Sequence, residues 1–102
     1  MQHVRVAVYQ FKPGTVDEVI RRAQAGMLPT FRAQPGFVGY GLVKTSDSTG
    51  VSLSFWQTSA EADAAVKTAA NWVKENLADM VVSVQNHVGD LSFFSAAAPI
   101  GS

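Results

Sequence analysis

His87 is the side chain in this sequence best suited to moving a proton near neutral pH. An imidazole that titrates around 6.5 can take a proton from a phenol or quinol, and His87 falls within an alternating, strand-like run. Asp90, the nearest carboxylate on that run, has the opposite strand parity and so does not line up behind it. Tyr9 and Tyr40 offer phenol hydroxyls that can donate to a substrate oxygen, and Tyr9 joins His87 as a candidate for assisting deprotonation. Trp72, Tyr40, Ser54, Phe31 and Asn71 are the candidates for lining a substrate pocket, with the tryptophan and phenylalanine as its walls. Each also has a plainer reading, as a half-exposed strand histidine, as tyrosines held by backbone carbonyls, or as core aromatics.

Other chemistries lack their parts. The chain has no cysteine, which removes thiolate nucleophiles and cysteine-based zinc sites, and two histidines alone do not predict a protein-built metal centre. Gly36, Gly39 and Gly41 fall in a turn and a strand rather than before a helix start, so no nucleotide cofactor is expected. Ser54, His87 and Asp90 can be written as a hydrolase triad, but no nucleophile-elbow context surrounds the serine. Eight basic residues balance eight acidic ones without a cluster of either sign, which argues against nucleic acid and anionic membranes as partners. The beginning Met1-Gln2-His3 carries no charged lead and apolar stretch, and the expectation is a soluble cytoplasmic protein with neither metal nor organic cofactor.

The elements that must position these residues follow from periodicity. With 102 residues, 47% of them apolar, the chain predicts one domain over 1–95 and a patternless tail over 96–102. Val4, Val6 and Val8 alternate with Arg5, Ala7 and Tyr9, giving a first strand over 4–11. Thr15 and Glu18 have capping-box spacing, and Val16, Val19, Ile20, Ala23, Met27 and Phe31 mark one helical face, interrupted near Gly26–Pro29. Strands over 37–45 and 51–57 form a hairpin; Thr58 and Glu61 cap a second helix ending near Asp79; a last strand runs over 81–94, with Gly89 marking an expected bulge or bend. The order β-α-β-β-α-β is the α+β, ferredoxin-like arrangement, an antiparallel sheet with helices on one face.

Alternation also predicts the two faces of that sheet. Val4, Val6, Val8, Val51, Leu53, Phe55, Val84 and Val88 form an aliphatic face, while Ala7, Tyr9, Ser52, Ser54, Trp56, Ser83, Gln85 and His87 form a smaller, more polar one. Large apolar groups on both sides require cover for the second face, and a second copy of the chain supplies it most simply. The prediction is a homodimer with its sheets packed together.

Several segments resemble the antibiotic biosynthesis monooxygenase family of the dimeric α+β barrel superfamily. They are the first strand leading to Lys12-Pro13-Gly14, the Pro35-Gly36-Phe37-Val38-Gly39-Tyr40 opening of the second strand, the Phe55-Trp56 end of the third, and the alanine-rich helix after it. The resemblance implies a cofactor-independent monooxygenase for an aromatic, quinol-type or other apolar small molecule. A non-catalytic dimeric barrel that binds an apolar ligand or serves in assembly is the alternative. The family's heme-degrading pattern is not matched, because the first strand has no asparagine and no histidine lies between Thr58 and Asp79. Asn71 and Trp72 are adjacent rather than spaced as in its quinol-oxidising pattern, so that branch's catalytic set is not carried over.

Overall fold

The three valines of β1 (His3–Phe11) alternate with Arg5, Ala7 and Tyr9, and this period of two decides which residues meet the helices. In the computed structural model, which describes residues 2–95, β1 leads into α1 (Val16–Arg22), a π-helical turn (Ala23–Met27) and α2 (Leu28–Arg32). The hairpin β2 (Phe37–Lys44) and β3 (Thr49–Trp56) follows, then α3 (Ser59–Asn76) and β4 (Val81–Asp90). All neighbouring strands are antiparallel, in the order β2-β3-β1-β4, so the fold is the expected α+β, ferredoxin-like one. The tail expected over 96–102 lies outside the described residues. Among the described residues no helix is long and apolar enough to cross a membrane.

The two caps differ. Thr58 accepts from the Glu61 backbone N–H at 3.2 Å and so caps α3 as its spacing predicts. Thr15 does not cap α1: its hydroxyl donates to the Lys12 carbonyl at 2.7 Å, and its own N–H donates to that carbonyl too. Glu18 therefore has no orphan amide to reach at Thr15, and it pairs with Arg21 at 2.7 Å and Arg22 at 2.9 Å. Hydrogen bonds from Arg21 and then Arg22 hold the Glu18 carboxyl down at about 2.

Proline explains the interrupted helix. Pro29 cannot donate to the carbonyl four residues earlier and its ring crowds it, and the widened π turn just before α2 absorbs the mismatch. Gly26 in that turn lies against Trp72, since a Cβ there would come within 2.9 Å of the indole. Beyond α2, Gly36 has φ +78° and sits under the Glu61 carboxylate, which any Cβ would strike. Gly36→Ala is therefore expected to destabilise the fold by about 1–2 kcal/mol, read as a lower urea midpoint at unchanged slope.

Two bulges reset the strand faces. Phe37 pairs with Trp56 but Gly39 with Phe55, leaving Val38 as an extra residue; likewise Phe11 pairs with Val81 and Gln10 with Ser83, leaving Val82 as extra. The bulge expected at Gly89 is thus at Val82, near the opposite end of the strand, and Gly89 pairs in regular register with Val4. Its effect is large, because one inserted residue inverts every later side chain. Val84, Asn86 and Val88 pair with Tyr9, Ala7 and Arg5 on the helix side, whereas Gln85 and His87 pair with Val8 and Val6 on the opposite face. The face predicted for β4 is therefore corrected in full. β4 also stops at Asp90 instead of Phe94: its neighbour β1 begins at His3, and beyond it a single bond, from the Leu91 N–H to the Gln2 carbonyl at 2.9 Å, continues the pairing.

Candidate functional site

Between helices and sheet, β1 contributes Arg5, Ala7 and Tyr9, β3 contributes Ser52, Ser54 and Trp56, and β2 contributes Tyr40 and Leu42. Ala7 pairs with Ser52, so the middle of this face carries two small side chains, with Leu42 beside Ser52 on the next strand. The gap they leave is roofed by Ala23, Met27, Trp72 and Val73 and closed at one end by Phe31. It is a narrow cavity, with about 20 Å³ open to the centre of a water molecule, little more than one water needs. A second cleft of about 140 Å³ by the same measure opens outside it, lined by Ile20, Gln24 and Leu28. Ala23, Tyr40 and Leu42 border both spaces and so form the wall between them.

The polar end of the cavity is organised by Arg5, which is 1% exposed. Its Nε donates to Asn86 Oδ1 at 3.1 Å, Nη2 to the Tyr9 hydroxyl at 3.2 Å, and Nη1 to Ser52 Oγ at a long 3.5 Å. Among the described residues no ion pair involves Arg5. Tyr40 stands beside this group, edge-on to Phe31 with ring centres 5.0 Å apart. Burial, helped by the neighbouring Tyr9, pushes its hydroxyl up to about 12, while a hydrogen bond with Ser52 and the Arg5 charge pull the other way. Tyr40 is therefore a neutral donor at neutral pH.

A consequence can be read by absorbance. The folded protein should show one tyrosine ionising at about 12 instead of its ordinary 10.0. The unfolded chain loses that proton first, so this contribution to stability is complete below pH 10.0 and is lost as pH rises through about 12. Titration in the Tyr40→Phe variant should lack that late step.

The structure thus brings Tyr9, Tyr40, Phe31 and Trp72 to one enclosure. Ser54 is buried beside it but accepts from the Trp56 indole N–H at 2.9 Å and does not line the cavity. Asn71 is exposed on α3, one residue from Trp72 and away from the enclosure. His87 lies on the opposite sheet face, exposed and paired with Val6, so its imidazole does not reach this cavity. Sequence reasoning missed Arg5, whose parity with Ala7 and Tyr9 already placed it on the helix side. Among the described residues no three histidine or carboxylate side chains gather as metal ligands.

A larger apolar basin of about 730 Å³ lies on the other sheet face, between Val38, Leu53, Phe55 and the segment carrying Leu91 and Phe94. It has no titratable group in its lining.

Comparison with known proteins adds the following. The family model described as antibiotic biosynthesis monooxygenase matches residues 2–71. No curated protein matches the chain. Among solved structures, a protein of unknown function from Nitrosomonas europaea superimposes with a TM-score of 0.75 at 19% identity, covering 96% of each chain. The ActVA-Orf6 monooxygenase of Streptomyces coelicolor, solved with nanaomycin D, gives 0.70 at 15% identity over 95% of this chain and 91% of its own. A point mutant of SnoaB, a cofactor-independent oxygenase from Streptomyces nogalater, gives 0.63 at 15% over 99% and 98%. At these identities the likeness is one of fold.

Proposed function

Because the chain belongs to the antibiotic biosynthesis monooxygenase family, we propose that it is a small monooxygenase that uses neither metal nor organic cofactor, with an electron-rich aromatic substrate held between helices and sheet. The observation that carries this reading is the convergence of Arg5, Tyr9 and Tyr40 with the aromatic walls Phe31 and Trp72 on one cavity. The monooxygenases among the structural relatives support it.

The proposed reaction draws all its electrons from the substrate. An acidic ring methylene, conjugated with a phenol or ketone oxygen, loses a proton to water, and the Arg5 guanidinium stabilises the charge left on that oxygen. One electron passes from the carbanion to dioxygen, and the resulting carbon radical and superoxide join as a C–O bond. Protonation gives a hydroperoxide. Loss of the remaining C–H proton then breaks the O–O bond, leaving a ketone and releasing the second oxygen as water. Tyr9 and Tyr40, both hydroxyl donors at the polar end, stabilise the departing oxygen. The cavity walls exclude bulk water from the carbanion.

Oxygen uptake by chelator-treated protein, measured with a panel of quinols and anthrones against a no-protein control, tests this. Uptake is expected to survive chelation and to persist in His87→Ala. Uptake that collapses in His87→Ala would move the chemistry to the other sheet face and contradict the reading. The alternative is a non-catalytic binding or assembly module, and no uptake across the panel would select it.

We also propose that the chain pairs with its own copy through the second sheet face, where Val6, Leu53 and Phe55 are only half-buried and Val8 is 42% exposed. Sedimentation should then show a dimer, and Leu53→Lys should shift it to monomer.

A further inference from the structure

Arg5 carries its charge into the interior, and its own contacts do not balance it. A guanidinium has five N–H donors, and the three contacts to Asn86, Ser52 and Tyr9 all go to neutral oxygens, so two donors and the whole positive charge remain unmatched. A buried charge with no opposite partner is strongly disfavoured unless something balances it. Asn86 fixes the Nε edge, which turns the terminal nitrogens toward Tyr9 and Ser52, two of the residues lining the cavity. The rest of the lining is almost wholly apolar or aromatic, with no carboxylate in it.

From this placement we infer that the cavity discriminates by charge: it binds a planar aromatic oxyanion, a phenolate or enolate, more tightly than the neutral ring of the same shape, and so favours the deprotonated form of its substrate. The inference rests on the cavity being the substrate site. Ring binding comes from Phe31, Trp72 and the methionine and leucine walls, and the oxyanion meets Arg5, with the Tyr9 hydroxyl free to donate to it. A bicyclic ring exceeds the empty space, so it must enter from the outer cleft by displacing the Tyr40–Leu42 wall.

Calorimetric titration of the full chain with 2-hydroxy-1,4-naphthoquinone, an enolate at neutral pH, and with its neutral 2-methoxy ether decides the matter. The enolate should bind at least tenfold more tightly. Arg5→Met should abolish that preference, and Arg5→Lys should keep part of it; the wild-type pair remains decisive if Arg5→Met does not fold. Equal affinities in the wild type, or a preference that survives Arg5→Met, would overturn the charge selection and leave the cavity as substrate site. Binding of neither ring would overturn both.

Discussion

Trp56→Ala should remove about 3–5 kcal/mol of stability, a large share of the roughly 5–15 kcal/mol that a domain has in all. Trp56 is fully buried at the end of β3, edge-on to Phe31 with ring centres 5.3 Å apart and to Phe37 at 5.6 Å. Its indole N–H also satisfies Ser54, so the substitution opens a cavity, removes two aromatic contacts and leaves a buried hydroxyl with one partner fewer. Phe31 in turn packs against Tyr40, so disorder at Trp56 spreads to the site. Urea unfolding followed by circular dichroism measures this. A loss below about 1 kcal/mol would mean the core closes over the gap, and the packing account would be wrong.

Arg5→Met should act in the opposite sense, leaving the fold intact and removing the activity. Methionine fills much the same volume without a charge, and replacing a buried ionic group by an apolar one is often neutral or stabilising. Removing the group aimed at a developing oxyanion instead lowers rates by about 10²–10³-fold. With an oxidised anthrone as the readout, kcat/KM should fall by that factor while the urea midpoint stays level or rises. Full activity in a folded Arg5→Met protein would make the arginine a structural residue. A variant that both unfolds and loses activity would show instead that Asn86, Ser52 and Tyr9 depend on it for their own placement.

Long periodic segments carried most of the fold. The alternation in β1 and the spacing of Val16, Val19, Ala23, Met27 and Phe31 were enough to place the buried faces of the first strand and the first helical segment. The Val82 bulge was not legible. Three consecutive β-branched or small residues, Val81, Val82 and Ser83, fit a regular strand equally well, and only pairing with Gln10 and Phe11 shows which one is extra. That single residue decided whether His87 or Asn86 faced the helices. Capping showed a similar limit, since Thr15 and Thr58 share one spacing but only Glu18 has two arginines within reach. Tyr9 and Phe31 were readable as inward residues from strand parity and helical period, whereas Tyr40 and Trp72 were singled out by side-chain chemistry alone. Arg5 was equally well placed, but a charged residue in an alternating strand reads by default as solvent-facing.

Of the spaces described on the two sheet faces, only the helix-side cavity brings a ligand to Arg5. A crystal structure of the protein with 2-hydroxy-1,4-naphthoquinone bound tests this most directly. The ring should lie between Phe31 and Trp72, with its enolate oxygen in hydrogen-bond reach of Arg5 and the Tyr40–Leu42 wall displaced. A ring found instead in the apolar basin over Leu53 and Phe55, with the wall unmoved, would contradict the central claim.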